Sequence, residues 1–503
     1  MTGKIQRNAA AALAVGGLAL AGCGDGKSDT NGTKSTSKGS SIVGSGETDG
    51  LKILDSLRSV SGKKVPTGGD IYASSVKPNG ATPEAIMAEN QKPHADSNDT
   101  DYKEASATTI QLDGTPKVSG KGASATQDAV TIKQDGTYVL SGSFNGTVTV
   151  EAPTTAKVKI VLKNANISSS KDSAIRVKTA DEAVVIAAEG TSNSLSDTSS
   201  YAGKASGPSA ALASAADLTV GGKGELKVTG NANDGISSSD GLVVTGGKIS
   251  VSAPDDAVRG QDYVVIAGGT LNVNGKRNGI KSENETKSGR GYVLVTGGDL
   301  TVNGGSSNAV NAKTEVVVAG GNIKIAGSKE GIEAAHVLLA GGKADVKTTD
   351  DGVNATGVRP WLAVSGGEWR LDTGGDGFDS NGAAYIGGGK MTIYGPTDAR
   401  AASLDAETGL EIDGGTLFAA GPAGMDETPS SGSSQTAIKV DAAVKAQTTV
   451  TVVESGGKEL AKHTPTKDVS SIFFSSADIA KGKEYKIVVD GHEIAKAKAG
   501  EFK

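Results

Sequence analysis

Cysteine is almost missing from this chain. There is 1 among 503 residues, so no disulfide can form within it and its stability must come from packing. Aromatic residues are scarce at 3%, which points to a narrow interior filled by small branched side chains. Only 4 histidines occur, His94, His336, His463 and His492. They are scattered along the chain, and neither a zinc site nor a Ser-His-Asp triad is suggested. Excess positive charge is also missing: the formal charge is −6, which argues against a nucleic-acid footprint. No window carries the G-x-x-x-x-G-K-[ST] phosphate loop, and the Gly-Gly pairs precede strand patterns, so nucleotide binding is unsupported.

Glycine, by contrast, is abundant at 72 residues, and much of it is organised. From Leu242 the chain repeats one phrase: LVVTGGKISVSA, VVIAGGTLNVNG, VLVTGGDLTVNG, VVVAGGNIKIAG, VLLAGGKADVKT, LAVSGGEWRLDT, AYIGGGKMTIYG and LEIDGGTLFAAG. The second glycine of each pair falls at 247, 269, 298, 321, 342, 367, 389 and 415. Such a period means stacked supersecondary units. Apolar residues alternate after each pair (Ile249/Val251, Leu271/Val273, Leu300/Val302), with polar residues between them, which is strand periodicity. The expected fold class is therefore all-β: a right-handed parallel β-helix, a solenoid whose coils rise roughly 4.8 Å apart, with a small C-terminal antiparallel β-module. A leucine-rich repeat has a comparable period, but its fixed Leu and Asn framework is missing. Trp369 aligns with interior Ile249 and is expected in the core.

The chain opens MTGKIQRNAAAALAVGGLALAGCG, in which Lys4 and Arg7 precede an apolar run too short to span a membrane permanently. Leu20-Ala21-Gly22-Cys23 resembles the lipobox of bacterial lipoproteins. That resemblance implies lipidation of Cys23, an extracytoplasmic location and attachment to the cell membrane through this lipid only. The expected organisation is a signal peptide over 1–23, a flexible tether over 24–104, a parallel β-helix domain over 105–430 and a C-terminal β-module or cap over 431–503. Two helical patches, near Leu51 to Val60 and Pro83 to Asn90, are candidates to dock on the body. The segment GPAGMDETPSSGSSQ reads as a linker or long turn.

A column of turns follows each second strand: NDGI at Asp234, DDAV at Asp256, RNGI at Asn278, SNAV at Asn308, KEGI at Glu330, DDGV at Asp351, GDGF at Asp376 and TDAR at Asp398. Stacked carboxylates roughly 5 Å apart repel by on the order of 1 kcal/mol in water and several at an effective dielectric near 20. Two readings follow. Each residue caps its own turn and stays screened by solvent, or clustered carboxylates bind hard cations such as Ca2+. The metal candidates are Asp234, Asp255, Asp256, Glu330, Asp350, Asp351, Asp376 and Asp379, with the doublets Asp255-Asp256 and Asp350-Asp351 favoured.

Three positions beyond the ladder runs Ser237, Arg259, Lys281, Asn311, Glu333, Asn354 and Asp379, basic in its upper part and acidic in its lower. Arg259 and Lys281, with Asn278, are candidates for an anionic sugar; a charge-balanced solvated face is the plainer account. Before each first strand stand Tyr263, Tyr292, Glu315, His336 and Trp361, on the outward side with Val243, Val265, Leu294, Val317 and Leu338. This stripe either binds glycan through Tyr263, Tyr292 and Trp361, or lies under the N-terminal arm or the C-terminal module.

The stretch DGISSSDGLVVTGGKISVSAPDDAVRGQDYVVIAGGTLNVNGKRNGIKSEN, with GRGYVLVTGGDLTV after it, resembles the bacterial secreted carbohydrate-binding-domain family of calcium-containing parallel β-helices. The resemblance extends from about Ala107 to Lys496. It implies pectate-lyase-like architecture, possession of one or more Ca2+ and binding of plant-type or acidic polysaccharides of the cellulose and polygalacturonate class. The expected function is a non-catalytic, surface-anchored polysaccharide-binding lipoprotein with no catalytic residues. One alternative is a polysaccharide lyase using Arg259 or Lys281 as the base; the other is a structural or adhesive envelope lipoprotein without a glycan ligand.

Overall fold

The structure is a computed structural model that describes residues 47–67, 70–201 and 209–502. Cys23 and the signal segment lie outside the described residues. The alternation read from the sequence builds a parallel β-solenoid of about 12 turns. Its register follows the repeat: Ile249, Leu271, Leu300, Ile323, Ala344, Trp369, Met391 and Leu417 stack in one column. All are buried in one continuous core, where each such side chain contributes roughly 1.5–3 kcal/mol before chain entropy is counted. Trp369 fits because its neighbour in the column is the small Ala344. The second glycine of each pair turns the corner at positive φ, from 75° at Gly389 to 93° at Gly298, a region costly for residues with a Cβ.

Each full coil presents three strands. The first strands, such as Tyr263–Ile266, are buried on both sides; the second, such as Thr270–Gly275, alternate buried and exposed. The third are short, such as Val258–Gly260, and join in a separate 13-stranded sheet.

The first strands are buried on both sides because the N-terminal arm covers them. The expected tether does not run to residue 104: from Glu47 onward the chain is packed. Helix α1 (Glu47–Val60) and helix α2 (Pro83–Glu89) lie on the outward stripe. Leu54, Leu57, Ile86 and Met87 join Val243, Tyr263, Val265, Tyr292, Leu294 and Trp361 in one cluster. Thr82 caps α2 by accepting the Ala85 N–H at 3.1 Å. Gly50 brings α1 against a Gly-Gly corner so closely that a Cβ there would lie 2.1 Å from the Ala267 carbonyl oxygen.

Both ends of the stack are closed by antiparallel pairing, which removes an exposed strand edge. Lys117–Ser119 folds back on Thr108–Gln111 at one end. At the other, Val469–Ser475 pairs with both Thr416–Gly421 and Ala437–Val444. A four-stranded antiparallel sheet of Val450–Glu454, Glu459–His463, Glu484–Val489 and His492–Lys498 completes the C-terminal module. The expected linker is not free. Glu427, Ser430 and Gln435 donate their backbone N–H groups to the carbonyls of Leu404, Leu410 and Ile412, so this irregular segment forms a last partial coil.

Candidate functional site

The ladder turns sit at the start of the third strands, where parallel pairing fixes their spacing. Asp234, Asn278, Asp351 and Asp376 each accept a backbone N–H from the turn one rung further on, not from their own. Asp256 donates its N–H to Asp234 Oδ1 (3.3 Å), the Asn278 amide donates to Asp256 Oδ1 (2.6 Å), and the Asp376 N–H donates to Asp351 Oδ1 (2.8 Å). Asp398 is outside the ladder. It lies in an exposed turn paired with Arg400, and Ala402 holds the next rung, its N–H donated to Asp376. The Asp376-to-Asp398 spacing of 22 matched the average repeat. This coil is longer, because the glycine pairs at 389 and 415 are 26 apart and the ladder must step equally.

The outer column is Ser237, Arg259, Lys281, Asn311, Glu333, Asn354, Asp379 and, beyond the sequence reading, Asp405. Its two halves differ chemically. In the upper half side-chain cations stand beside the carboxylates, although burial still pushes Asp234 up to about 7. Arg259 pairs with Glu283 and lies 3.7 Å from Asp234; Lys281 lies 3.4 Å from Asp256 and 2.6 Å from Glu283; Arg277 lies 3.7 Å from Asp255. Asp234, Asp255 and Asp256, three of the expected metal ligands, thus face side-chain cations. Burial acts to lower the Arg259 pKa, but the hydrogen bond and charge of Glu283 outweigh it and hold the guanidinium above its ordinary value. A protonated, ion-paired arginine cannot accept the proton that a lyase must remove.

The lower half is acidic and short of cations. Asp351, Asp376 and Asp379 each offer a carboxylate oxygen within 4.8 Å of the others. Glu330 and Glu333 lie on the neighbouring rung, and Lys329 meets Glu330 and Asp350 at 3.1 Å each. Glu330 Oε2 and Asn354 Oδ1 are buried without a hydrogen-bond partner. Burial, then the charges of Asp351, Asp376 and Asp405, pushes Asp379 up to about 8. Burial likewise raises Asp351 to about 6 and raises Asp376, and burial with the hydrogen bond to Glu330 raises Glu333. Carboxylates that resist ionising beside one another, with orphaned oxygens next to them, match the donor set of a hard divalent cation. The sequence reading passed over Glu333, Asp405, Asp426 and Glu283 as site residues. Asp426 is the least legible: it reaches the ladder from the irregular segment and accepts the Ser403 N–H at 2.7 Å.

Tyr263, Tyr292 and Trp361 are not a glycan platform. Tyr263 and Tyr292 are fully buried and Trp361 is 5% exposed, all beneath the arm. Their polar atoms and faces serve that packing. Tyr292 donates to the Gln91 carbonyl at 2.8 Å, Tyr263 accepts the His94 N–H at 3.0 Å, and the Trp361 ring stacks on His336 at 5.0 Å. Asn278 is buried in the ladder, while Arg259 and Lys281 keep partial exposure.

A family described as carbohydrate-binding domain-containing protein matches residues 126–377. A carbohydrate-binding domain-containing protein from Acetivibrio thermocellus is 34% identical over 136 residues, 26% of this chain. The match spans about half (48%) of that relative's length. A solved structure of a polysaccharide lyase-like protein from C. thermocellum, a gadolinium derivative, is 28% identical with a TM-score of 0.44, covering 45% of this chain and 94% of that one. The family match takes in half of the sequence, including the ladder from Asp234 to Asp376, and the chain belongs to the carbohydrate-binding domain-containing protein family.

Proposed function

We propose that this protein is a non-catalytic polysaccharide-binding lipoprotein, held outside the cytoplasm by a lipid on Cys23, that engages acidic glycans through calcium at the lower ladder. The observation that carries this reading is the convergence of Asp351, Asp376 and Asp379 within 4.8 Å, with few cations to neutralise them. These three, with Glu330, Glu333 and the Asn354 carbonyl oxygen, would hold the ion; calcium at this place supplies positive charge for sugar carboxylates. Family membership supports the glycan part of the reading.

The test is retention of the protein on insoluble pectic material and on cellulose, with calcium or with a chelator. Calcium-dependent retention on pectic material, lost in an Asp351→Asn/Asp379→Asn double variant, is expected. Equal retention with chelator would remove the cation from the mechanism, and no retention in either condition would remove these glycans. Globomycin-sensitive processing and its loss in Cys23→Ser would test the anchor.

A further inference from the structure

The irregular segment that closes the stack holds four serines within Ser430–Ser434, and they divide into two uses. Ser433 Oγ accepts the Ile412 N–H at 3.0 Å, and Ser434 donates N–H (2.8 Å) and Oγ–H (2.7 Å) to Asp413 Oδ1. Those two cap the last coil. Ser430 and Ser431 are exposed, and no side-chain hydrogen bond engages their hydroxyls. They line a cavity of about 450 Å3 between this last coil and the C-terminal module. Thr436, Lys481, Asp413 and Phe502 line it as well. Among the described residues Lys481 is the one cation lining this cavity, and no carboxylate pairs with it. Asp413 is held below its usual range by the Ser434 N–H, with burial opposing, so it stays an ionised acceptor.

We infer that this cavity is a second saccharide site, one that receives a uronic-acid residue of an acidic glycan. A sugar needs hydroxyl partners on its edge and an apolar surface against its C–H face. Ser430, Ser431, Thr436 and Asp413 supply the first and Phe502 the second. Lys481 selects a carboxylate-bearing sugar, because its ammonium forms no ion pair among the described residues, while the cavity's carboxylate, Asp413, is engaged by Ser434. The space, toward the small end of ordinary ligand sites, suits one or two sugar units. It is walled by the last coil on one side and by the module on the other. A single carboxylate cannot hold calcium as the ladder cluster would, so binding here is independent of the cation. The inference rests on the glycan-binding reading but uses none of the ladder carboxylates.

The experiment is a calorimetric titration of the full-length protein with trigalacturonate, and with cellotriose as the uncharged comparator, in excess chelator. Saturable binding of trigalacturonate is expected, weakened at least about tenfold by Lys481→Ala and abolished by the cavity-filling Ser431→Trp. Lys481 and Ser431 are exposed, so both variants should keep the native circular dichroism; should Ser431→Trp not fold, Lys481→Ala decides alone. No saturation, equal affinity for cellotriose, or an affinity for trigalacturonate unchanged by Lys481→Ala overturns the inference.

Discussion

Replacing Asp379 by asparagine should stabilise the protein in chelator at pH 8.5, an advantage that calcium largely removes. Asp379 is 7% exposed and its carboxyl is pushed from 3.8 up to about 8 by burial and then by Asp351, Asp376 and Asp405. Between those values the folded state holds a proton that the unfolded state has released. Stability is therefore greatest below about pH 4 and is lost as pH rises through about 8. The difference sets a ceiling of about 5–6 kcal/mol at 1.36 kcal/mol per decade. Solvent screening at this partly open face reduces that to about 2–3 kcal/mol. Asparagine cannot ionise, so Asp379→Asn should remove most of that loss at pH 8.5 in chelator and leave stability at pH 4 nearly unchanged. Calcium at about 100 times its dissociation constant should restore about 2.7 kcal/mol to wild type and much less to the variant. The assay is urea denaturation of both proteins at pH 4 and 8.5, with chelator or calcium. A wild type whose stability does not fall between those pH values, or an Asp379→Asn protein weaker than wild type in chelator at pH 8.5, would refute the repulsive-cluster argument.

Three further outcomes are expected. Gly50→Ala would set a Cβ 2.1 Å from the Ala267 carbonyl oxygen and 2.7 Å from Gly297 Cα, prising α1 from its corner; protease cleavage within residues 47–105 should accelerate, with a stability loss of about 1–3 kcal/mol. Trp369→Ala opens a large hole in a column whose neighbour is already alanine, and urea denaturation should register a loss of about 3–5 kcal/mol. Burial, then the charge of Lys390, pushes His463 down to about 4, and its ring stacks on Phe418 at 3.9 Å. Its unfolded imidazole takes a proton near 6.5. The stability from keeping it neutral is present above about pH 6.5 and is lost as pH falls toward 4. His463→Phe should flatten that acid-side decline, read by denaturation in calcium at pH 7 and 4.5.

Local chemistry alone determined the solenoid. Alternating apolar residues specify strands, paired glycines specify corners, and a repeat too short to bury its own interior specifies stacking, so the Ile249-to-Leu417 column was legible before any coordinates. The ladder was legible for the same reason, as far as Asp376. It failed at Asp398 because one coil is longer than the average, although the 26-residue step between glycine pairs carried the signal. What sequence could not decide is what comes to lie on an outward face. The Tyr263, Tyr292 and Trp361 stripe has the same spacing whether it is open or covered, and only the docking of α1 and α2, distant in sequence, buries it. Likewise Glu283, whose counterpart one coil earlier is the neutral Gln261, ties the cations of the upper ladder into an ion-paired network, and Asp426 reaches the lower ladder from a segment without periodicity. Burial and pairing set the charge of a carboxylate, and both depend on neighbours that the fold, not the local repeat, brings together.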